Sequence, residues 1–180
     1  MTDRPAPARY GVPAIALHWL TLLLLVAVYA TIELHEAFPK GSAARQALTT
    51  GHFMLGLLVL ALTALRLAAV AWRPAPRIEP PPPPWQAKAS RIMHAALYLL
   101  LLTMPLLGWL VLSARGKPIP FFGLALPPLV AENKPLADVL KEVHETVGNV
   151  GYFLIGLHAA AALYHHYVVR DDTLRRMLLR

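Results

Sequence analysis

The chain has 180 residues, 57% hydrophobic and 15% charged, with a mean hydropathy of +0.49. A soluble domain carries roughly 25% charged residues, so this composition argues against a water-soluble enzyme and for an integral membrane protein in the lipid bilayer. The absence of Cys excludes disulfides, thiolate metal sites, iron–sulfur clusters and thioether-attached haem, and the net charge of +7 is not gathered on one face as nucleic-acid binding requires.

In chain order, apolar stretches run over about residues 12–34, 53–72, 92–113 and 147–169, the second interrupted by Arg66. Each is about 20 residues or more, and a rise of about 1.5 Å per residue carries it across a hydrocarbon core of about 30 Å. Lipid offers no hydrogen bonds to the backbone, so all four are expected to be helices. The expected fold is all-α, a membrane four-helix bundle forming one domain over residues 1–180. Residues Pro80 to Pro84 are expected to be a stiff extended connector, and residues 114–146 a Pro- and Gly-rich loop. The N-terminus, second connector, C-terminal tail and Arg66 together carry a net +7, whereas the other side, the other two connectors with Glu33, is neutral in sum. The positive-inside rule therefore puts both termini in the cytoplasm.

Most of the eight His residues lie in or beside the spans, where an ionisable side chain is costly and points to function. His144 and His158 are 14 residues apart, about 40° short of four full turns and about 21 Å along the axis, so both face one way at opposite surfaces. The topology places His18 and His94 near the cytoplasm and His52 near the periplasm. Two bis-histidine haem b groups stacked across the bundle follow, since low-spin haem iron takes two axial imidazoles from facing helices. His52 with His144 forms the outer pair. For the inner pair, His158 lies about 18 Å from Arg170, His18 about 13.5 Å from Arg9 and His94 about 4.5 Å from Arg91, and this depth selects His18 over His94. Gly56, Gly148 and Gly151 fall on the ligand face, where a flat macrocycle needs helices without side chains. Arg66, 14 residues after His52, stands at the level of the inner haem and could pair with a propionate. His94, His165 and His166 lie shallower and form a candidate polar pocket at the inner interface.

Leu17-His18-Trp19, Phe38-Pro39, residues 91–98, His144-Glu145-Thr146 and above all the run GYFLIGLHAAAALYHHY over residues 151–167 carry a resemblance. Over essentially the whole chain, the sequence resembles the bacterial di-haem cytochrome b561 family, nearest to its superoxide-oxidising members. Val143 stands where that family commonly has Trp. The resemblance implies two haem b groups, ubiquinone as acceptor, superoxide as donor and a multi-pass place in the bacterial inner membrane. The expected activity is an oxidoreductase that converts superoxide to dioxygen at the periplasmic side and passes the electrons to ubiquinone, with no further protein partner required. Arg115 and Lys117 among the outer cations would steer the anion. His94, His165 and His166 would serve quinone, whose reduction consumes protons that His can supply near neutrality. The alternatives are a cytochrome b subunit linking a periplasmic dehydrogenase to quinone and, from another class, a small membrane transporter or assembly factor.

Overall fold

The computed structural model describes residues 9–72, 76 and 78–178. Four helices carry the fold: α1 (Val12–Leu34), α2 (Ala43–Trp72), α3 (Pro84–Ala114) and α4 (Lys134–Tyr164). All four are long and apolar enough to cross a membrane. Pro near the start of α1, α3 and α4 supplies a preset φ where no backbone N–H is needed, and the Asn133 side chain caps α4 by accepting from the Leu136 N–H at 3.1 Å.

Three helices begin well before their apolar runs, because hydropathy marks only the lipid-facing length while polar turns continue the same helix into water. His52 and His144 consequently lie inside α2 and α4 rather than at their ends. Pro84 opens α3, so the last residue of the proline run is helical and not extended. At its far end α4 continues as a π-helical turn, His165–Val169, and stops at Arg170 in the left-handed region (φ 61°).

The closest backbone packing joins α1 to α2, α3 to α4, and α2 to α3. Contacts between α1 and α4 include polar side chains: Tyr29 donates to the Gly148 carbonyl at 2.9 Å and Tyr152 donates to Glu33 at 2.8 Å. Leu57, Val59, Leu62, Leu100 and Leu101 are buried, whereas Leu23, Val26, Leu65, Leu99 and Phe153 face outward, as suits a protein whose solvent is lipid.

The start of α1, the end of α2, the start of α3 and the end of α4 share one end of the bundle, the terminal end. At the opposite end the expected irregular loop contains an antiparallel hairpin, β1 (Ile119–Phe121) and β2 (Leu124–Leu126). Its two-residue turn uses Phe122 and Gly123, both at positive φ (46° and 87°), the backbone that twists with the strands. Ile119 is buried against Leu57 and Leu112, and Trp109 Nε1 donates to the Pro127 carbonyl at 3.0 Å, which fastens the loop to α3. This is the hairpin end.

Candidate functional site

At the hairpin end, α2 and α4 bring His52 and His144 together with ring centroids 6.2 Å apart and planes inclined at 81°. His52 Nδ1 is hydrogen-bonded to the Val28 carbonyl of α1 at 3.0 Å. His144 Nδ1 is buried without a hydrogen-bond partner. A cavity of about 1100 Å³ flanks both rings. Gly56 and Gly148 line it, and a Cβ on Gly56 would meet nothing within 4 Å. Gly151 behaves differently from the expectation for a cofactor face. A Cβ there would run into the Tyr29 hydroxyl and Leu100, so this glycine admits a neighbouring helix.

The cavity rim carries Lys40, Arg45, Arg115, Lys117 and Lys141 against Glu33, Glu36 and Glu145. Three of the cations are paired: Arg45 with Glu36 at 2.8 Å, Arg115 with Asp138 at 3.3 Å and Lys141 with Glu145 at 2.5 Å. Among the described residues Lys40 and Lys117 belong to no ion pair, and the rim is positive in sum.

At the terminal end, α1 and α4 bring His18 and His158 to a centroid separation of 6.3 Å with planes at 71°. His94 of α3 also approaches His158, with 5.5 Å between centroids. Arg66 and Tyr98 close a cavity of about 60 Å³ with these three histidines, the guanidinium 5.6 Å from the Tyr98 ring centre. His165 and His166 do not line that cavity. His165 Nδ1 instead donates to buried Asp171 at 2.5 Å, and His166 Nδ1 is buried without a partner.

One metal shared by two facing imidazoles, bonded at about 2 Å to each, would need ring centres about 6 Å apart. Both pairs match that spacing. The hairpin-end pair also has room for a macrocycle beside it, while the enclosed space at the terminal-end pair is far smaller. Among the described residues no cluster of three or more His, Cys, Asp or Glu could hold a metal ion.

The family model described as prokaryotic cytochrome b561 matches residues 9–180. The chain belongs to the prokaryotic cytochrome b561 family. Among its curated relatives, "Cytochrome b561 homolog 1" of Escherichia coli (strain K12) is 42% identical over 96% of this chain and 98% of the relative. "Probable superoxide oxidase CybB" of Yersinia pestis is 38% identical over 94% and 96%. "Cytochrome b561 homolog 2" of Escherichia coli (strain K12) is 32% identical over 99% and 95%. This cytochrome is therefore a haem b-binding electron-transfer protein, an oxidoreductase of multi-pass topology in the bacterial inner membrane, which sets aside the transporter and assembly-factor alternatives.

Sequence reading missed two things around these sites. The hairpin was invisible because three-residue strands between prolines carry too little periodicity. The network tying the C-terminal segment to the terminal end was missed too, although Asp172 and Arg176 stand at the i, i+4 spacing of an ion pair and lie 3.3 Å apart.

Proposed function

We propose that this cytochrome takes single electrons from superoxide at the hairpin end and delivers them to ubiquinone at the terminal end. The hairpin end would face the periplasm and both termini the cytoplasm, in keeping with the charge asymmetry of the connectors. The observation that carries the reading is the cation-rimmed cavity beside His52 and His144. A relative of similar length bears the name of a probable superoxide oxidase, which supports it further.

His52 with His144, and His18 with His158, would hold two haem b groups. When bound, haem b supplies one-electron iron chemistry. The chain does the rest. Lys40, Arg45, Arg115, Lys117 and Lys141 attract an anion into the cavity, and the apolar walls exclude bulk water from the electron path. Each superoxide leaves as dioxygen after losing one electron, so two are consumed for every ubiquinone that takes up two electrons and two protons. Arg66 would pair with a haem propionate. His94, beside Arg66 and Tyr98, would orient the quinone, and Ser90 Oγ lies 3.3 Å from His94 Nδ1. His165 with Asp171, and His166, stand farther along α4 toward the terminal end, where protons arrive from water.

Stopped-flow mixing of the purified protein with superoxide tests this. The expected result is rapid growth of the reduced b-type band, abolished by superoxide dismutase and followed by reoxidation when ubiquinone is present. Reduction no faster than in the dismutase control would overturn the donor and leave the dehydrogenase-linked reading. That second reading draws on Phe122 and Leu124, which are exposed on the hairpin whose Ile119 lines the cavity.

A further inference from the structure

The two ligand candidates contributed by α1 and α2 are held in different ways. His52 is tied through Nδ1 to the Val28 carbonyl. His18 Nδ1 is buried with no such partner, although a ligating imidazole ordinarily donates its other N–H to an acceptor that fixes the ring. Beside His18 stands the indole of Trp19, edge-on at 5.4 Å between centroids and 76° between planes. Trp19 Nε1 in turn donates to the Met177 carbonyl at 2.6 Å, across 158 positions of sequence.

Met177 is itself held firmly. Its neighbour Arg176 is 3% exposed, donates to the Pro76 carbonyl, lies 3.3 Å from Asp172 and stacks over Tyr10 at 5.8 Å. Asp172 accepts from the Glu79 N–H at 3.1 Å and donates its own N–H to the Glu79 carbonyl at 3.3 Å. Asp171 is 2% exposed and accepts from His165 at 2.5 Å and from the Thr173 N–H at 2.9 Å. Residues 171–178 are thus a strap bound to α1, to the second connector and to the end of α4.

We infer that this C-terminal strap positions His18 through Trp19, and so takes the part at the inner haem site that the Val28 carbonyl takes at the outer one. The inference rests on His18 being a haem ligand. Releasing the Met177 carbonyl frees the indole to turn, and His18 then loses a wall that limits its rotation. The outer site, whose ligand is anchored within the bundle, is untouched.

The test compares the haem-loaded protein with His18→Ala, Trp19→Phe, a chain ending at Leu174, and the last two combined. Haem stoichiometry comes first. His18→Ala is expected to lose one of two haems, and the lost low-spin ferric resonance identifies the inner one. Trp19→Phe and the shortened chain should each keep two haems while shifting that resonance and releasing the inner haem to excess apomyoglobin about 10-fold faster, at the low end for loss of an outer-shell partner. The combined variant should do no more than either alone, because both cut the same linkage. Two haems in His18→Ala would remove the ligand assignment and this inference with it. One haem there, with an unchanged resonance and release rate in Trp19→Phe, leaves the assignment standing and overturns the strap. Additive effects, or equal effects on both haems, overturn it as well. If the shortened chain does not accumulate, Arg176→Gln replaces it under the same criteria.

Discussion

His94 sits closer to His158 than His18 does, 5.5 Å against 6.3 Å between centroids, while the proposed ligand set pairs His158 with His18. His18→Ala or His158→Ala is therefore expected to halve the haem content, as is His52→Ala or His144→Ala for the other haem, while His94→Ala retains both. Two haems in His18→Ala and one in His94→Ala, measured by pyridine haemochrome, would exchange their roles. Arg66 faces the same group from α2. A cation there favours the reduced, less positive state of a nearby iron. Arg66→Gln should lower the inner haem's midpoint potential by an energy on the order of 1–2 kcal/mol at an effective dielectric near 20. An unmoved potential in a redox titration would mean that the guanidinium reaches past the haem to the interface.

Between elements, glycines serve two purposes. Gly151 lets Tyr29 of α1 approach α4, and Gly151→Ala should cost about 1–3 kcal/mol by overpacking, read as a lower thermal midpoint. Gly56 borders open space in the cavity beside His52 and His144, so with the proposed haem there Gly56→Leu should instead lower its occupancy. A loss of stability without loss of haem in Gly56→Leu would speak against a macrocycle on that face. The strap carries a pH dependence of its own. Burial alone would raise the Asp171 carboxyl, but hydrogen bonds from His165 and Thr173 outweigh it and hold the group below its ordinary value of 3.8. A depressed carboxylate stabilises the folded state above the unfolded value and stops doing so as pH falls through the folded one. Limited proteolysis of the C-terminal segment should be slow at pH 5 and quicken as pH drops from 3.8 downward. Asp171→Asn should flatten that dependence.

For the molecule as a whole, the decisive quantity is the field at the hairpin end. The chain is neutral in sum over the connectors there taken with Glu33, but the cavity gathers five cations and three acids around His52 and His144. A steered anion feels that field only within a Debye length, about 10 Å at 0.1 M salt and about 3 Å at 1 M. Superoxide-driven reduction should slow several-fold across that range, and Lys117→Gln and Arg115→Gln should each slow it further at low salt. A rate indifferent to both salt and charge would show that donor capture does not depend on the rim.

Helix number and membrane insertion were legible in the sequence, because lipid forces every apolar run of about 20 residues into a helix, but depth counted along single helices was not enough for His94, which was expected shallower and instead lines one cavity with His18 and His158. His144 and His158 could be placed on one face from their spacing alone. The family resemblance was equally readable from the run over residues 151–167. The histidine pairs already joined the fourth span to the first and second, but the packing that seats α1 on α4, Tyr29 against Gly148 and Gly151, was not legible, since hydropathy carries no shape. The same holds for His165, whose partner Asp171 lies beyond a π-helical turn that ends at a left-handed Arg170, and for Trp19, whose acceptor is 158 positions away. Local periodicity determines what a segment is. Contacts between distant segments depend on shape complementarity that no single segment contains.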